Sequence, residues 1–132
     1  MPTTKKSLKK GMKVMIPYWI DRESGEPIAR PIEDRGRYSY RVVELWRDLT
    51  DEDRRAWEES DASKGMNDAG ETRLQYPSKM LPRDASEAPR LWEVVRARVS
   101  ARKGWRTESG CAQVRAEDGT LWFVKRDHCY PV

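Results

Sequence analysis

The chain holds one histidine, His128, and it is followed directly by Cys129. A Cys–His nucleophile pair needs the two side chains in contact, and neighbours on an extended strand point to opposite faces. Cys111 and Cys129 with that histidine also fall short of the four ligands a structural zinc site requires. Both cysteines therefore read as structural thiols. Asp61, Asp68 and Glu71 surround Gly65 and Gly70, but their spacing lacks the alternating acids of a calcium loop. Glu58 and Glu59 are neighbours and diverge on a helix, so they do not form a catalytic carboxylate pair. The sequence contains no phosphate-cradling glycine loop, nucleophile elbow or metal triad. We expect no enzyme activity, no cofactor and no metal.

The chemistry that remains is the chemistry of binding. Lys5, Lys6, Lys9, Lys10 and Lys13 give residues 1–13 a charge of +5 with no acid. Residues 14–89 hold 12 basic and 17 acidic side chains, net −5, and residues 90–132 hold 9 and 5, net +4. In the C-terminal third, Arg96, Arg98, Arg102, Lys103 and Arg106 lie close to Trp92 and Trp105. Arginines and lysines contact phosphates, and an exposed tryptophan stacks on a base. As a strand, residues 91–99 set Arg96 and Arg98 beside Trp92 on one basic, aromatic face. The competing pattern is a solvated face with arginine stems laid over tryptophan rings. The same contrast of acidic and basic sectors also suits a protein partner anchored on Trp92 and Trp105.

The elements that must carry these residues belong to one domain of 132 residues. Leu, Ile, Val and Phe number only 21, so the core leans on six Trp and five Tyr. No apolar run reaches membrane-spanning length, and the lysines of the N-terminus precede no apolar stretch. Two cysteines do not make a disulfide framework, and the expected compartment is the cytoplasm.

Residues 1–10 read as a mobile basic tail, and 11–132 as a single compact domain. Met12, Val14 and Ile16 alternate on a strand within residues 11–20. Residues 21–37 are loop-like, rich in Pro and Gly. Tyr38, Val42, Leu45, Trp46 and Leu49 fall on one helical face, which predicts a helix, against a strand through Tyr38, Tyr40 and Val42. A second helix starts at Thr50, an N-cap followed by Asp51, Glu52 and Asp53 in the first turn, with Trp57 as its apolar contact. The helical region thus spans 38–60, and a long loop fills 61–90. Residues 91–103 fit a strand or a helix ended by Gly104. Asp118-Gly119 marks a type I′ hairpin that pairs Val114 with Phe123, Ala116 with Leu121 and Ala112 with Lys125 on the core face. Cys111 then faces Arg126, which completes a sheet over 91–130.

The run Trp46-Arg47-Asp48-Leu49-Thr50-Asp51-Glu52-Asp53-Arg54-Arg55-Ala56-Trp57-Glu58-Glu59 resembles the junction between the second and third helices of HMG-box domains. That resemblance implies a tryptophan packed between helices and DNA bending from the minor groove. The family's first helix and apolar wedge have no counterpart in residues 20–37. Separately, Gly11-Met12-Lys13-Val14 with Cys111 to Pro131 is similar to SH3-like small barrels of the KOW and Tudor kind. In style, a short, charged, aromatic-rich chain resembles small phage or prophage accessory proteins, including anti-CRISPR and anti-restriction inhibitors of host defence.

The expected architecture is α+β: a small antiparallel sheet or SH3-like partial barrel, a helix pair and the basic tail. The expected function is noncatalytic binding of nucleic acid or a nucleoprotein complex. A protein-directed inhibitor or virion assembly factor is the alternative.

Overall fold

Strands dominate the described residues, and apolar side chains are buried on both faces of the main sheet. The computed structural model describes residues 7–30, 39–59, 78–84 and 90–132, excepting the side chain of Trp57. Lys5, Lys6, Tyr38 and the calcium-loop candidates Asp61, Asp68 and Glu71 lie outside the described residues. The strands are β1 (Lys13–Met15), β2 (Trp19–Asp21), β3 (Pro27–Ile28), β4 (Tyr40–Val42), β5 (Trp46–Asp48), β6 (Ser78–Met80), β7 (Leu91–Lys103), β8 (Arg106–Arg115), β9 (Leu121–Lys125) and β10 (Tyr130–Pro131). A helix, α1 (Asp51–Glu59), follows β5, and a 3-10 turn over Arg126–His128 precedes β10. Seven strands form an antiparallel sheet in the order β10-β1-β7-β8-β9-β5-β6, and β3-β2-β4 form a small second sheet.

The expected helix pair, and with it the α+β class, is therefore corrected. Residues 40–48 form β4 and β5, and α1 is the one α-helix among the described residues. The reason lies in two apolar clusters. Val43 and Leu45 are fully buried in the main core with Val14, Val94, Val114, Trp122 and Val124. Trp46, one residue on, is buried in a second cluster with Ala101 and Cys111, against Met80, Val99 and Phe123. Burial of adjacent residues on opposite faces imitates a helical period, while Val42 on the expected helical face is exposed. The segment likened to an HMG-box junction consequently joins a strand to a helix.

Where α1 does form, its start is well defined. The Asp53 amide donates to Thr50 Oγ1, and the Thr50 amide donates back to Asp53 Oδ2, a reciprocal cap. Arg47 grips the same carboxylate through both terminal nitrogens at 2.6 and 3.1 Å. These bonds hold the Asp53 carboxyl well below its ordinary range, the Arg47 hydrogen bond being the largest cause.

The late hairpin turns one residue wider than a two-residue loop allows. The Ala116 amide donates to Thr120 O, and the Gly119 amide donates to Ala116 O, enclosing Glu117, Asp118 and Gly119. Gly119 sits at φ +87°, the left-handed bulge position of three-residue loops. The register becomes Val114↔Trp122, Ala112↔Val124 and Cys111↔Lys125. A slip of one residue exchanges faces. Trp122 and Val124 enter the core, whereas Leu121 is exposed and Phe123 joins the second cluster.

Candidate binding face

β7 settles the open choice for residues 91–103 as a strand and then breaks its own alternation. Val94 pairs with Val114, but Arg96 pairs with Gln113, so two steps on β7 oppose one on β8. Such a bulge re-aims the side chains that follow it. Before it, Trp92 and Val94 point into the main core at 3% and 0% exposure. After it, Ala97 packs against that core, so its exposed neighbours Arg96 and Arg98 point away from it. The expected face combining Trp92 with Arg96 and Arg98 is thus corrected. Trp92 is a core residue, and its indole N–H finds no hydrogen-bond partner among the described residues.

The outer face of β7, β8 and β9 carries Arg96, Arg98, Arg106, Arg115 and Lys125. The two acids on the hairpin strands, Glu93 and Glu108, are both engaged. Arg115 Nη1 donates to Glu93 at 2.8 Å across the strands. Glu108 meets Lys125 at 2.8 Å and Arg106 at 3.3 Å, and the Lys125 hydrogen bond lowers its carboxyl below the ordinary value. Lys125 is in turn raised by Glu108. Arg96 and Arg98 make no ion pair among the described residues. The face is therefore net basic, with two guanidinium groups unengaged.

At the far end, Gly104 and Trp105 form a two-residue loop between the paired residues Lys103 and Arg106. Gly104 takes φ +64° and Trp105 does not take a positive φ, as a loop with glycine in the first central position requires. The tip is fastened at three points. The buried Gly104 amide donates to Ser78 Oγ at 2.8 Å. The Trp46 indole N–H donates to Arg102 O at 2.9 Å. Lys103 pairs with Glu44 and lies 4.9 Å over the Trp46 ring. Trp105 stays 73% exposed. Arg106 is exposed beside it, while Arg102, flanked by Ala101 and Lys103 that face the second cluster, points to the opposite side.

The residues singled out from the sequence thus separate into groups. Arg96, Arg98, Arg102, Trp105 and Arg106 are exposed around one hairpin. Lys103 is held against Trp46, Trp92 is buried, and Lys9 and Lys10 are exposed in the turn before β1. Sequence reading passed over Gly104-Trp105 as a hairpin loop, although glycine followed by any residue between two strand-like runs is its signal. It also missed Arg115 and Lys125, which only the register brings to the outer face.

A groove of about 460 Å³ lies between β2, β4 and the 3-10 turn, lined by Ile20, Asp21, Arg41, Asp127, His128 and Tyr130. A smaller one of about 200 Å³ shares Arg41 and His128. The Tyr130 hydroxyl donates to Gly25 O at 2.9 Å, and burial raises its pKa, which suits neither a nucleophile nor a base at neutral pH. Cys111 and Cys129 are buried and not joined in a disulfide, and burial raises the Cys111 pKa, the opposite of a reactive thiolate. Among the described residues no three of His, Cys, Asp or Glu gather as a metal site, and no helix is long and apolar enough to cross a membrane.

No protein-family model, curated protein or solved structure matches this chain.

Proposed function

We propose that the protein is a noncatalytic module that binds nucleic acid, alone or within a nucleoprotein complex, through the outer face and tip of the β7–β8 hairpin. One observation carries the reading. The acids of the hairpin strands are consumed in ion pairs, so Arg96 and Arg98 are left to face a polyanion beside Arg106, Arg115 and Lys125. Phosphate binding by such a face releases counterions and falls steeply with salt.

The test is a titration of labelled oligonucleotides at two salt concentrations with the wild type and an Arg96→Ala/Arg98→Ala variant. Losing two phosphate contacts reduces the slope of log K against log salt by about 1.4 to 1.8. Both side chains are exposed, so the fold is retained. Binding without a salt slope, or an unchanged slope in the variant, refutes the reading.

A protein partner is the second reading, favoured by the exposure of Leu91 and Leu121 on the same face and of Trp105 at the tip. Aromatic and arginine anchors next to apolar surface typify protein interfaces. It fits an inhibitor of host defence or an assembly factor. Copurification of a nuclease-resistant partner, with weak oligonucleotide binding, would favour it.

A further inference from the structure

We infer that the nucleic acid is single-stranded and is held by an unpaired base stacked on Trp105, with flanking phosphates on Arg102 and Arg106. This rests on the nucleic-acid reading above. A two-stranded ribbon whose tip stands clear of the protein can insert that tip into the major groove of a duplex. Here the tip does not. Gly104 is buried and bonded to Ser78 of β6, and Arg102 O is bonded to Trp46 of β5. The turn lies against its neighbours, and only side chains reach outward.

Trp105 offers a ring that is 73% exposed on a backbone held by these bonds. Such a platform gains stacking energy from any unpaired base without sequence preference. A paired base within a duplex must first be unstacked, at a cost that a single ring has to offset. Arg102 and Arg106 sit three residues before and one after Trp105, on opposite sides of the hairpin. A backbone crossing the tip therefore meets a cation before and after the stacked base. Arg106 shares Glu108 with Lys125, which lies closer to that carboxylate at 2.8 Å than Arg106 does at 3.3 Å. The guanidinium, whose side chain is 81% exposed, can turn to a phosphate while Glu108 keeps its lysine partner.

The experiment compares single- and double-stranded oligonucleotides of one sequence, about a dozen nucleotides long, at physiological salt. The proteins are full-length wild type, Trp105→Ala and Trp105→Phe. The single strand should bind wild type at least about tenfold tighter than the duplex. Trp105→Ala should weaken single-strand binding by about 5- to 150-fold, the range for one stacked base, and leave the salt slope unchanged. Trp105→Phe, which keeps a ring, should recover most of the loss. A duplex bound as tightly as the single strand, or a Trp105→Ala variant that binds like wild type, overturns the single-strand inference and leaves nucleic-acid binding standing. Absence of salt-dependent binding to either form overturns both.

Discussion

Arg83 is expected to be the most stability-sensitive charged residue outside the binding face. It sits in the link after β6 and reaches across to the β1–β2 and β4–β5 connections. Its Nη1 donates to Pro17 O at 2.8 Å and to Val43 O at 3.3 Å, and its Nη2 donates to Ile16 O at 2.9 Å. The guanidinium carbon also lies 5.4 Å over the Tyr18 ring. Ile16, Pro17 and Val43 are buried, so their carbonyls have little water to turn to when the fork is removed. Hydrogen bonds to charged groups contribute about 1.5 to 3 kcal/mol each. The two short bonds at the low end of that range give about 3 kcal/mol, and partial hydration at half-buried Arg83 lowers the figure while the third bond raises it. Arg83→Ala should therefore lose about 2 to 4 kcal/mol of a total near 5 to 15 kcal/mol. Arg83→Lys should recover at most half, because one ammonium lacks the planar fork that spans two connections. Urea unfolding followed by circular dichroism measures both, with the m-value as the check that the transition is unchanged. A loss below about 0.5 kcal/mol for Arg83→Ala, the size expected of a neutral surface change, would refute the reasoning.

Three further outcomes follow from the same structure. Trp92→Ala should cost about 3 to 5 kcal/mol as a core cavity, whereas Trp105→Ala should stay within about 0.5 kcal/mol, both read by urea unfolding. Asp53→Asn should destabilise at neutral pH, because Arg47 and Thr50 hold the native carboxyl below its ordinary value of 3.8. A depressed native pKa adds stability that is complete above the unfolded value and is lost as pH falls below it. The wild-type advantage over Asp53→Asn should thus shrink by about 1 kcal/mol between pH 7 and pH 3, measured by denaturant titration at both. Gly119→Ala should cost about 1 kcal/mol through the left-handed φ alone, since no atom lies within 4 Å of the added carbon, and an unchanged urea midpoint would contradict this.

Local chemistry was legible wherever it acted alone. Met12, Val14 and Ile16 announced β1 by simple alternation, and Val14 and Ile16 are fully buried. Thr50 announced the start of α1 because a cap needs only a hydroxyl and the next three amides. Asp118-Gly119 announced a turn because glycine alone tolerates the φ it adopts. The clustering of Arg96, Arg98, Arg102, Trp105 and Arg106 was likewise visible as a basic, aromatic stretch.

What the sequence left open was which face a residue takes once a bulge or a wider turn has intervened. One extra residue in the loop at Glu117–Gly119 moved Trp122 and Val124 inward and Leu121 outward. One bulge after Val94 separated Trp92 from the arginines it was expected to join. Two clusters on opposite sides of the sheet buried Leu45 and Trp46 together, and a helical period was the result. A period of two carries no record of where a bulge or a wider turn resets it. That reset is decided by cross-strand pairing, and pairing brings together residues as distant as Met15 and Tyr130, which no local pattern relates.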